Sequence, residues 1–141
     1  MIVDRKEFKK FWENSEEYPY IVFCNKNYYI PTLNEIQEKY IPIYNKFISK
    51  NNLFVNKNWD CSKFANSFKM ICDIDHKNKN DDSHFAVAIA HVNIENSEYN
   101  HAINLLIYRK EKDIDYMFFD PQNNKLYKTE QTFKNLEFLY F

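Results

Sequence analysis

Three residues far apart in this chain could do chemistry together: Cys61, His101 and Asp120. A thiol becomes a nucleophile when an imidazole within hydrogen-bond reach can take its proton. A carboxylate beyond the ring fixes the tautomer and steadies the charge. Asp60 is a good helix N-cap, which would make Cys61 the first residue inside a helix. There the unpaired backbone N–H groups and the positive end of the helix dipole favour a negatively charged sulfur. Each residue also has a plainer reading. Cys61 could be a small apolar residue on a helix face, and His101 a strand-end histidine bonded to a loop carbonyl. Asp120 before Pro121 could only start a turn, which Gln122 would cap. His91 competes with His101 but has no matching flank, while His76 and His84 border a polar stretch and are expected in solvent.

The elements that must position these residues follow from hydrophobic spacing. Cys61, Phe64, Ala65, Phe68, Ile71 and Cys72 recur at i, i+3, i+4 and i+7, the stripe of a helix buried on one side. Upstream, residues 4–14 put Phe8, Phe11 and Trp12 on one helical face, and residues 18–29 read as a strand or extended segment. Thr32 and Glu35 are spaced as a capping box, opening a helix that carries Leu33, Ile36, Tyr40, Ile43, Tyr44, Phe47 and Ile48 inward and that Pro42 should kink or divide. Residues 51–58 and 73–83 are polar and read as loops. Strand character returns at 84–95, 101–109 and 116–120, with turns between, and the tail from Leu126 to Phe141 suits a helix or a strand. Helices first and an antiparallel meander after them predict an α+β fold in which a helix start, a strand start and a strand end meet at one edge.

Composition bounds the rest. The chain has 141 residues, fitting one domain over 1–141 with no internal repeat or linker. Lys+Arg and Asp+Glu total 19 and 20, a balance that argues against a nucleic-acid surface or an anionic-membrane surface. The aromatic stripes are therefore read as core rather than as a base-stacking platform. Cys24, Cys61 and Cys72 are too few and too irregular for a disulfide framework, and the scattered histidines give no zinc spacing, so neither metal nor cofactor is expected. Cys24 and Cys72 are read as structural. With no Gly in the chain, turns that need positive φ must use Asn or Asp. No leader pattern or membrane span stands out, so a cytoplasmic location is the expectation, with signal-independent export as the other route.

Asp60-Cys61 with Phe64-Ala65, then Asn100-His101-Ala102-Ile103-Asn104, then Phe119-Asp120-Pro121-Gln122, resembles the papain-like and transglutaminase-like thiol enzymes. The His-Ala-x-Asn and Asp-Pro-Gln pieces look most like bacterial papain-fold deamidase and toxin domains and related phage proteins. The resemblance covers about residues 58–122 and implies N-terminal helices packed on an antiparallel sheet, with Cys61, His101 and Asp120 as catalytic residues. It departs from the papain pattern in having no glutamine upstream of Cys61 as oxyanion donor. Asn56, Asn58 or Trp59 would have to serve beside the Cys61 N–H, and Gln122 is a further candidate contact. The implied function is a cysteine-dependent hydrolase or acyl-transfer enzyme acting on an amide of a protein or peptide substrate. The alternative is a catalytically silent domain of the same fold that binds a partner protein as an inhibitor, immunity or anti-defence factor.

Overall fold

From Ala102 to Tyr108 every residue but Asn104 is apolar or aromatic, on both parities of a strand, and such a run needs cover on both faces. A computed structural model describes residues 1–13, 20–77, 82–94, 100–127 and 133–141, and this run sits inside strand β6 (Asn100–Lys110) at the middle of the main sheet. Its antiparallel neighbours are β5 (Val87–Ile94) and β7 (Asp113–Asp120). β8 (Lys125–Tyr127) pairs with β7, while β9 (Phe133–Tyr140) pairs with β5 and runs parallel to β2 (Tyr20–Val22). The spatial order is β2-β9-β5-β6-β7-β8. A second sheet of three strands, β1 (Ile2–Asp4), β3 (Asn27–Tyr29) and β4 (His84–Phe85), has β3 between the other two, antiparallel to β1 and parallel to β4.

Alternation along β6 divides the core in two. Ile103, Leu105 and Ile107 pack with Phe8 and Trp12 of α1 (Arg5–Glu13), Tyr28 and Phe141. Leu106 and Tyr108 point the other way, into a cluster with Tyr44 and Ile48 of α3 (Ile41–Lys50) and Phe64, Phe68 and Cys72 of α4 (Cys61–Lys77). The expected helix from Thr32 begins as α2 (Leu33–Glu35), with the Thr32–Glu35 capping box formed. It passes through a π-helical turn, Ile36–Tyr40, into α3. Pro42 has no N–H to give back to the preceding turn, and the widened turn just before it absorbs that mismatch. Positive φ occurs, among the described residues, at Asn52, Glu111 and Asn124, so one glutamate joins the asparagines in the role glycine usually fills.

The expected papain-like α+β arrangement, N-terminal helices on one antiparallel sheet, is corrected by these facts. The molecule is sheet-rich, both sheets are mixed, and the N-terminal third supplies three strands as well as helices. Those strands are three residues each, too short to show a period of two, and their partners lie far along the chain. Smaller corrections follow the same logic. The stretch 84–95 is split at Ala86 between two sheets, and the tail from Leu126 contains strands. The loop expected over 73–83 is helical to Lys77, and residues 78–81 and the turn at 95–99 lie outside the described residues. His76 is buried rather than solvated, and Cys24 is exposed. Among the described residues no helix is long and apolar enough to cross a membrane.

Candidate functional site

Helix α4 starts where the cap predicts. Asp60 Oδ1 accepts the Lys63 N–H at 3.0 Å and the Asp60 carbonyl accepts the Phe64 N–H at 3.1 Å, so Cys61 opens the first turn. Cys61 is half-buried and packs against Ala65, Ile89 and Ala102, side chains small enough at two of the three positions to let the helix end come close to β5 and β6. β6 and β7 are antiparallel, so the beginning of one lies beside the end of the other. That places His101 near Asp120, with His101 Nε2 at 3.0 Å from Asp120 Oδ2. Cys61 lies close enough to the same imidazole to raise its pKa. The structure thus brings Cys61, His101 and Asp120 together.

Asp120 also does the turn chemistry of its alternative reading. Its Oδ1 accepts the backbone N–H of Gln122 at 3.0 Å and of Asn123 at 3.2 Å, and its Oδ2 accepts Asn123 Nδ2 at 2.7 Å. Burial alone would push this carboxyl up. The bonds from His101 and Asn123 outweigh it and hold the group below the usual carboxylate range. His101 moves the opposite way: the Asp120 carboxylate raises it, burial opposes, and the bond to Cys61 adds to the rise. The pair therefore favours imidazolium against carboxylate, with the ring tied to Asp120.

Beside this cluster opens a cleft of about 390 Å³, walled by Phe54, Asn56, Lys57, Trp59, Gln122 and Asn123. Phe54 comes from a 3₁₀ turn, Leu53–Val55, and stacks on Phe64 with ring centroids 5.7 Å apart. Of the contacts named from the sequence, Asn56, Trp59 and Gln122 line the cleft. Asn58 is exposed, donating its N–H to Asn56 Oδ1 at 3.0 Å and accepting from Lys63 Nζ at its carbonyl. His91, the competitor of His101, is half-buried in β5. Sequence reasoning missed three supporting residues. Asn123 holds Asp120, Tyr44 donates its hydroxyl to the Pro121 carbonyl at 2.9 Å, and Asn104 ties α4 to the sheet. Only Asn104 carried a signal, as the one amide in an apolar run. Among the described residues no group of three or more His, Cys, Asp or Glu side chains is placed to hold a metal ion.

No protein-family model and no curated protein matches the chain. Solved structures do match. The chain is similar to a Polyporus squamosus lectin bound to the human-type influenza-binding epitope Neu5Aca2-6Galb1-4GlcNAc, with a TM-score of 0.75 and 16% identity over 99% of this chain and 49% of that one. It is similar also to the protein of a PSL1a–E64 complex, with a TM-score of 0.73 and 15% identity over 99% of this chain and 51% of that one. The chain spans about half the length of these proteins, and at such identity the likeness is one of fold. It corrects the expected kinship with papain-like and transglutaminase-like thiol enzymes, because a matched fold is that of a Polyporus squamosus lectin and no family model carries the motifs. The expectation of a cysteine peptidase, amidase or deamidase is withdrawn with it. Pieces as short as Asp-Pro-Gln recur wherever a strand ends in a turn, and the Asp120 bonds to the Gln122 and Asn123 N–H groups are such a turn.

Proposed function

We propose that this chain is a ligand-binding domain, that its ligand is a saccharide, and that the ligand occupies the cleft beside Cys61, His101 and Asp120. One observation carries the reading: aromatic rings and side-chain amides share one open wall. Phe54 and Trp59 offer apolar faces to the C–H side of a sugar ring, while Asn56, Gln122 and Asn123 offer paired donors and acceptors to hydroxyls. Lys57 adds a cation that suits an acidic sugar, and the His101–Asp120 pair forms a fixed polar end. The likeness to a lectin bound to a sialylated epitope supports the ligand class. Of the alternative drawn from the sequence, a binding module, the general part is kept and the partner changes from protein to glycan.

A glycan array followed by calorimetry tests this, with Neu5Aca2-6Galb1-4GlcNAc among the probes. Trp59→Ala and Gln122→Ala are each expected to weaken binding about tenfold, as loss of a ring contact or an amide hydrogen bond does. Cys61→Ala should keep most of the affinity. Absence of any glycan binding at millimolar concentration overturns the reading. So does turnover of an amide substrate that disappears in Cys61→Ala.

A further inference from the structure

Asn104 is fully buried in β6, three residues beyond His101, where each flanking residue is apolar. Its Nδ2 donates to the Ala65 carbonyl in α4 at 3.0 Å and to the Ala88 carbonyl in β5 at 3.3 Å. Both neighbours are acceptors, so the amide nitrogen must face them. Its Oδ1 is buried without a hydrogen bond among the described residues. A leucine would fill similar space without stranding an oxygen, so the amide is kept for what its nitrogen holds. Ala65 stands one helical turn after Cys61 on the same face of α4, and His101 stands about 10 Å along the strand from Asn104. The clamp therefore fixes the offset between the helix that carries the thiol and the strand that carries the imidazole. Ala65 and Ala102, small residues packed beside Cys61, make the close approach that the clamp needs.

We propose that Asn104 is a positioning residue that sets the contact between the Cys61 thiol and the His101 ring. This rests on reading Cys61, His101 and Asp120 as one polar centre. The test follows iodoacetamide alkylation of Cys61 by peptide mass spectrometry over about pH 5 to 9, with exposed Cys24 as the internal reference. His101 is titrated by NMR in the same samples. In Asn104→Leu, Cys61 alkylation near pH 6 should fall about tenfold relative to Cys24, and His101 should titrate closer to its ordinary value of about 6.5. Asn104→Ser, which keeps one donor, should lie between. If Asn104→Leu does not fold, Asn104→Ser alone carries the same two measurements, with a fall in alkylation and a shift of His101 as the supporting result. A lower melting temperature with both profiles unchanged makes Asn104 purely structural and overturns the proposal. Failure of glycan binding with the Cys61–His101 coupling intact leaves it standing. In the wild type, independent titration of Cys61 and His101 removes the polar centre and this proposal with it.

Discussion

Asp120 accepts the backbone N–H groups of its own turn at one carboxylate oxygen and bonds to His101 and Asn123 through the other, so a single side chain serves both the fold and the cleft. Its charge is what raises His101, and Asp120→Asn should let that histidine fall back toward about 6.5, as NMR titration would show. The raised His101 adds stability that is complete below about pH 6.5 and is lost as pH rises through its folded value. The lowered Asp120 adds stability that is present above about pH 3.9 and is lost as pH falls through its folded value. Urea unfolding should therefore show the deficit of Asp120→Asn largest near pH 5 to 6, on the order of 1–2 kcal/mol, and smaller near pH 8. At this scale the helix start at Cys61, the strand start at His101 and the strand end at Asp120 each had a local signal in the sequence. Their partners did not: Asn123 looks like any turn residue, and Asn104 shows its purpose only once α4 and β5 stand beside it. The short flanking motifs misled, because the same residues satisfy ordinary strand and turn geometry.

Helix α4 is the element on which the cleft depends, and its cap and its apolar face can be separated experimentally. Asp60→Ala should cost about 1 kcal/mol by stripping the Lys63 N–H of its acceptor, read as a lower urea midpoint. Phe68→Ala should cost about 3–5 kcal/mol, since that ring is fully buried against Tyr44 and Phe119. Tyr44→Phe removes only the hydroxyl that donates to the Pro121 carbonyl, and a loss of about 1–3 kcal/mol is expected from a buried acceptor left unpaired. The helix start was readable from Asp60 and the apolar stripe, whereas its end was not. Asp73, Asp75 and Lys77 look like loop composition, yet Lys69 and Asp73 form an i,i+4 pair at 3.1 Å and Lys39 reaches Asp75 from another helix. His76 turns inward in the same stretch to stack on Tyr29, with ring centroids 4.6 Å apart. Charge density alone could not distinguish a solvated helix face from a loop.

Across the whole molecule, the β5-β6-β7 meander was legible because turn residues punctuate strands that pair with their sequence neighbours. The pairings of β1, β2, β3 and β9 were not, since partners so distant leave no local mark in the sequence. One of them bears on how the chain reaches its native state. Tyr20 is in register with Phe138, and Phe141 donates its N–H to the Val22 carbonyl while its ring fills the core. Strand β9 stands between β2 and β5, so β2 has no partner in this sheet and β5 keeps an open edge until residues 133–140 have been synthesised. Closing so long a loop before any reward from pairing makes folding slow, in the millisecond-to-second range typical of non-local sheets. Stopped-flow refolding should give one such phase, and a chain ended after Tyr127 should aggregate through the exposed edge of β5. During synthesis, β9 would be the strand that commits β2 and β5 to their places.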